Sequence, residues 1–113
     1  PDGHFHVRGE VNGVTVRFLV DTGASAIVLN QHDAERVGLR PETLSYTQVF
    51  NTANGTVRGA PVRLDRIAIG TIGFRDVRAS VNQGELGTSL LGMSFLERLR
   101  SFSVEGNVLT LRP

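Results

Sequence analysis

A mostly β domain with one or two short helices is what this sequence predicts, and three observations carry that prediction. Glycines, 13 of them, punctuate short runs rich in Val, Ile, Leu, Phe and Thr. Turn dipeptides Asn12-Gly13, Asn54-Gly55 and Gly106-Asn107 fall between such runs. Helical signals are confined to two brief stretches, one after Asn30 and one after Gly92.

Phe5-His6-Val7-Arg8 and Val14 to Val20 flank Asn12-Gly13, whose tolerance of positive φ suits a two-residue hairpin turn. The second arm becomes continuously apolar at Phe18-Leu19-Val20 and runs straight into Asp21-Thr22-Gly23. A carboxylate at the end of a buried strand is costly and needs a reason to be there. Ala26-Ile27-Val28-Leu29 is a further apolar run. Asn30 then reads as a helix N-cap, with Asp33 at the third helical position, Ala34 and Val37 on the inner face and Gly38 as the stop, giving a short helix over about 31–37.

Tyr46 to Phe50 and Thr56 to Leu64 are strand-like and form a second hairpin with Asn54-Gly55 at its tip. Pro61 cannot donate to a ladder, so its strand is expected to be at an edge or bulged there. Ile67 to Gly70, Ile72 to Phe74 and Val77 to Val81 echo the rhythm of residues 7–20, which predicts two related halves within one domain. Leu90-Leu91-Gly92 leads into Met93 to Leu99, whose apolar positions Met93, Phe95, Leu96 and Leu99 suit a short, buried helix. Val104 to Leu111 closes the chain as a hairpin turned at Gly106-Asn107.

With 113 residues, 40% hydrophobic and 20% charged, residues 1–113 are expected to form a single domain whose core needs no cross-links. The absence of Cys excludes a disulfide framework, a thiolate zinc site and a cysteine nucleophile. All 12 basic residues are Arg, scattered from Arg8 to Arg112 against 11 acids, so no basic run for nucleic acid is visible. No stretch approaches the roughly 18 apolar residues of a membrane helix, and no membrane contact is expected of this segment. Because it opens at Pro1 rather than Met, an upstream anchor or export signal is compatible with it.

The chemistry concentrates at Phe18-Leu19-Val20-Asp21-Thr22-Gly23-Ala24-Ser25. A bare Asp-Thr-Gly arises by chance in on the order of a few per cent of chains this long. Its context sharpens it: an apolar strand before, a hairpin about 30 residues later and Leu90-Leu91-Gly92 further on. In that order and spacing these elements resemble the active-site signature, the flap and the hydrophobic-hydrophobic-Gly element of retropepsin-like (clan AA) aspartic proteases. Thr52-Ala53-Asn54-Gly55 and Leu90-Leu91-Gly92-Met93-Ser94-Phe95-Leu96 are similar to a bacterial branch of that clan. The likeness spans about residues 3–112.

The resemblance implies a closed β-barrel half-domain with a flap hairpin, acting as an obligate two-fold homodimer on polypeptide substrates, with no cofactor and no metal. Hydrolysing an amide without metal or covalent intermediate needs one group to deprotonate water and another to protonate the carbonyl. The signature occurs once here, so two subunits would each supply Asp21. Aspartic proteases are themselves the standard example of adjacent carboxylates that share one proton and titrate as a pair. By the same resemblance, Thr22 would hydrogen-bond across the two-fold axis and Gly23 would offer its amide to the carboxylate. Ala24, Ser25, Thr52, Ala53, Asn54 and Gly55 would contact substrate, the last four as a closing flap. Retroviral members carry an acidic residue at the position of Ser25, paired with an Arg that opens their C-terminal helix; here that stretch is Met93-Ser94, so the ion pair is missing and Ser25 is available to hydrogen-bond near Asp21. The bacterial branch is often exported or membrane-anchored, which implies a periplasmic setting.

Plainer readings stand beside these. Asp21 could be a turn aspartate capping local amides, and Asn54-Gly55 is a hairpin turn in either case. His4 and His6 face one side of a strand, as exposed surface pairs commonly do, and His32 stands apart from them, so no metal site is expected. Ser25, Ser45 and Ser89 lack a nucleophile elbow or triad order. A non-catalytic peptide-binding or scaffolding module of the same fold is the competing function. A protease held monomeric until an anchor or partner raises its local concentration is a third.

Overall fold

A computed structural model describes residues 5–52, 55–99, 101–105 and 108–112 of the chain. Along it lie β1 (Phe5–Val11), β2 (Val14–Val20), β3 (Ile27–Leu29), α1 (Gln31–Arg36), a 3-10 turn at Pro41–Thr43, β4 (Gln48–Thr52), β5 (Gly55–Ile69), β6 (Ile72–Asn82), β7 (Ser89–Leu91), α2 (Met93–Leu96), β8 (Ser101–Glu105) and β9 (Val108–Arg112). The expected mostly β architecture is present.

β1 and β2 pair in register from Phe5↔Val20 to Val11↔Val14. Asn12 and Gly13 between them have φ of 51° and 83°. Both turn residues are thus left-handed, the conformation that matches a hairpin to the natural twist of its strands. The larger sheet runs β1-β2-β7-β3-β6-β5-β4. Glu10↔Ala68 and Val11↔Ile67 join β5 back to β1, so six strands close into a barrel and β4 hangs from the outer half of β5. Closure removes the exposed edges that β1 and β5 would otherwise present. Pro61 sits where β5 pairs with β6 alone, between its pairing with β4, which stops at Gly59, and its pairing with β1, which starts at Ile67. It is at a local edge, as a residue without an N–H requires.

The internal echo has a structural counterpart. β2 runs parallel to β7, and β6 runs parallel to β3, while β3 and β7 pair antiparallel between them. Each half is a hairpin, a loop, a short strand and a short helix. Alternating residues of these strands fill the interior: Val16, Phe18, Ile27, Leu29, Leu64 and Leu91 are wholly buried. Phe95 of α2 completes it and meets Phe74 edge to face, with centroids 5.6 Å apart.

α1 begins where its cap predicts. The Asn30 side chain accepts from the Asp33 amide at 2.8 Å, Ala34 and Val37 are buried, and Gly38 has φ of 96°. Several expected boundaries move, four of them for reasons visible in the fold or by a clear margin. Tyr46 precedes β4, held outside the strand because its hydroxyl donates to Pro41 O at 2.7 Å and accepts from Gln31 Nε2 at 2.9 Å. The second hairpin is longer than expected because β5 continues past Leu64 to Ile69, its far half covering β1 and β6. The C-terminal helix is shorter: after Leu96, Arg98 and Leu99 donate three residues back, to Phe95 and Leu96, and the last turn tightens. The closing hairpin starts at Ser101, and its turn, Gly106-Asn107, lies outside the described residues.

Candidate active site

The loop from Asp21 to Ala26 joins β2 to β3, and β7 is inserted between those two strands, in register with Phe18↔Ser89 through Val20↔Leu91 on one side and Ile27↔Leu91 on the other. Asp21 continues the ladder by donating its amide to Leu91 O at 3.1 Å. The carboxylate therefore emerges where a buried strand ends, half-buried, with its position set by β7 beneath it.

Two residues on, the Gly23 amide donates to Asp21 Oδ1 at 2.9 Å, and the Ala24 amide donates to Asp21 O at 3.1 Å. A Cβ at residue 23 would stand 3.2 Å from that carboxylate oxygen, so a side chain there would crowd the acid it serves. From below, the loop is stapled to α2. Met93 and Ser94 donate their amides to Ala24 O and Ser25 O, each at 2.9 Å, and Ser94 Oγ accepts from the Ile27 amide at 3.2 Å. Gly92 allows the contact, since any Cβ there would meet Ala26 O and Ala24 O. In place of an ion pair, backbone amides and one hydroxyl brace the loop.

Above the loop lies a cleft of about 480 Å³. Asp21, Gly23, Ala24 and Ser25 form its floor, and Val49, Phe50 and Asn51 of β4 form the facing wall. Ala26, Val28 and Leu90 extend the apolar lining. Asp21 is the sole ionisable group among the described lining residues. Val49, a large hydrophobic residue, is nevertheless 54% exposed, and it faces this space.

The anticipated residues thus divide. Asp21, Gly23, Ala24 and Ser25 come together in the cleft. Thr22 is exposed on the loop outside it, its hydroxyl without a partner among the described residues. Thr52 ends β4 and Gly55 begins β5, while Ala53 and Asn54 lie outside the described residues. Val28, Val49 and Phe50 also line the cleft, which the sequence does not reveal, because an apolar residue in a strand carries no mark of whether it faces a core or a cleft; Leu90 of the Leu90-Leu91-Gly92 element joins them. Ser94 belongs to the Leu90 to Leu96 stretch of the resemblance and to the position of the missing ion pair, but that its hydroxyl accepts from the Ile27 amide is visible only in the fold. His6 and His32 are exposed, on β1 and in the first turn of α1; His4 lies outside the described residues.

Residues 7–98 match the family described as gag-polyprotein putative aspartyl protease. The uncharacterized protein RP867 of Rickettsia prowazekii is 44% identical over 97% of this chain and 47% of its own length. The chain spans about half the length of the curated relatives it matches. Among solved structures, the retropepsin-like aspartic protease from Rickettsia conorii superposes with a TM-score of 0.84 at 39% identity, over 97% of this chain and 83% of that one. The EIAV protease complexed with the inhibitor HBY-793 shares the fold, with a TM-score of 0.74 at 19% identity over 92% of this chain and 95% of that one. An Asp-Thr-Gly loop seated on an inserted strand, a six-stranded barrel and these matches together make the chain a member of the gag-polyprotein aspartyl protease family, with the retropepsin-like fold.

Proposed function

We propose that this chain is one subunit of a homodimeric aspartic endopeptidase in which Asp21 of each copy faces the other across a bound polypeptide. The observation that carries this reading is the lone carboxylate in the cleft: Asp21 is aimed and held by the Gly23 amide, yet no second acid or base lines the described wall. Amide hydrolysis needs both functions, and a second copy supplies the missing one.

In the dyad, the ionised Asp21 takes a proton from water as the water oxygen attacks the peptide carbonyl carbon. The protonated Asp21 gives its proton to the carbonyl oxygen. As the resulting diol collapses and its C–N bond breaks, the protonated carboxyl gives its proton to the departing nitrogen while the ionised one takes a proton from a diol hydroxyl, so the pair again shares one proton. Ala24, Ser25, Val49 and Phe50 would hold substrate on either side of the scissile bond, with the β4–β5 hairpin closing over it.

Two features support pairing of copies. The Thr22 hydroxyl is exposed beside the acid and has no partner among the described residues. β8 and β9 pair with each other and, among the described residues, with no strand of the barrel. A two-stranded ribbon with open edges is marginal alone and gains by pairing elsewhere.

The test is to incubate concentrated protein with a complex peptide library beside Asp21→Asn and to identify new termini by mass spectrometry. Cleavage that rises more steeply than linearly with protein concentration and vanishes in the variant is expected. Cleavage retained in Asp21→Asn would remove the dyad. Peptide binding without turnover, unchanged by the substitution, would transfer the protein to the peptide-binding reading.

A further inference from the structure

The arginines scattered along the sequence are set face to face by the strand register. Arg8 stands directly opposite Arg17, Arg63 opposite Arg78 and Arg66 opposite Arg75, all exposed. Like charges directly opposite one another on a sheet work against folding. Arg63 is relieved by Asp76 at 3.1 Å. Arg8 and Arg17 have no carboxylate partner among the described residues.

Beside Arg8 and Arg17 the surface is concave. Arg8, Thr15 and Arg17 form the floor of a groove of about 470 Å³; His32 and Arg36 of α1 and Thr88 before β7 form its wall. The one acid there, Asp33, is 8% exposed and already engaged: Oδ2 accepts from Ser89 Oγ at 2.6 Å and Oδ1 lies 3.3 Å from Arg36 Nη1. Glu10, the next acid on that face and opposite Thr15, lines the neighbouring groove with Arg66, a groove that shares Arg8 and Thr15 with this one. Arg8 and Arg17, with no carboxylate partner among the described residues, therefore face one space with His32 and with Arg36, which gives one Nη to the buried Asp33 and keeps its other donors.

A planar carboxylate is satisfied by a single guanidinium fork. Donors that converge from a floor and a wall, with two hydroxyls among them, suit a compact oxyanion bearing more than one negative charge and oxygens pointing in several directions. We propose that this groove binds a phosphate-type oxyanion, free or as a lipid headgroup, through Arg8, Arg17 and Arg36. Such a ligand lies between the two opposed guanidiniums and replaces their repulsion with attraction. The site is separate from the Asp21 cleft and does not depend on proteolysis.

Calorimetric titration of the chain with inorganic pyrophosphate tests it, in phosphate-free buffer at about 0.1 M salt, where diffuse charge effects reach only about 10 Å. Saturable binding is expected, weakened about tenfold or more in Arg8→Gln and in Arg17→Gln, since each removes charge-assisted hydrogen bonds. Arg78→Gln removes the same charge from an arginine pair on the other hairpin and should leave the affinity unchanged. All three side chains are exposed, and thermal melts will verify intact folding. No saturable heat with the parent chain, or equal weakening by Arg78→Gln, overturns the proposal. Sedimentation with phosphatidic acid vesicles separates the sources: co-sedimentation lost in Arg17→Gln assigns a lipid headgroup, and pyrophosphate binding without co-sedimentation assigns a soluble phosphate.

Discussion

Replacing Gly92 by Ala probes how the Asp21 loop is seated. Gly92 has φ of −97°, a value any residue adopts, so its backbone conformation does not demand glycine. Space does. A Cβ would lie 2.7 Å from Ala24 O and 3.0 Å from Ala24 C, and would also meet Ala26 O. All three atoms are backbone, and the chain on both sides is tied down by the Met93 and Ser94 amides donating to Ala24 O and Ser25 O. Neither side can give way without losing those bonds. Forcing an extra carbon into packed structure costs about 1–3 kcal/mol, and this rigid setting belongs at the upper end. The stiffer unfolded chain returns at most about 1 kcal/mol, leaving a net loss of roughly 2 kcal/mol. At about 4 °C per kcal/mol for a domain of this size, Gly92→Ala should melt about 8 °C early. Gly87→Ala is the control, since no atom lies within 4 Å of a Cβ there, and its melting point should not fall. Circular dichroism melts of both variants decide it. A Gly92→Ala melting point within about 2 °C of the parent would falsify the close-approach account.

Three other substitutions address the supports around the loop. Ser89→Ala strips a buried carboxylate, Asp33, of its 2.6 Å hydroxyl donor and the Asn30 amide of its acceptor; urea unfolding should show a loss of about 2 kcal/mol, and an unchanged midpoint would mean the pair carries no stability. Ser94→Ala leaves the buried Ile27 amide without its acceptor, at about 1–2 kcal/mol; Ser94→Thr, which keeps the oxygen, should recover most of it, and failure to do so would point to packing instead. Asn30→Ala removes the cap of α1 and should cost about 1 kcal/mol, with Asn30→Ser near the parent by the same assay; equal losses in both would discount the cap.

Local physics made much of this protein legible from its residues. Asn12-Gly13 specifies a hairpin because so few residues tolerate two successive positive φ angles. Asn30 announces α1 because its side chain caps the very amides a helix start leaves free. The Asp21 loop stood out because a charge at the end of an apolar strand has few explanations. Other features depend on residues distant in sequence. β7 enters between β2 and β3 through pairings of residues 18–20 and 27–28 with 89–91, and no periodicity in three residues of Ser-Leu-Leu says which strands they join. The long β5 bends from β4 to β1 only because the barrel closes there. Val28 and Val49 are ordinary apolar strand residues in the sequence, and only the fold turns them toward the Asp21 cleft. Arg8, Arg17 and Arg36 read as dispersed solubilising charge until register and the placement of α1 brought them around one groove. The sequence alone determined the strands, turns and caps, where neighbours along the chain set the energy; the tertiary structure alone decided which side chains share a space, because that is governed by contacts between segments the sequence holds apart.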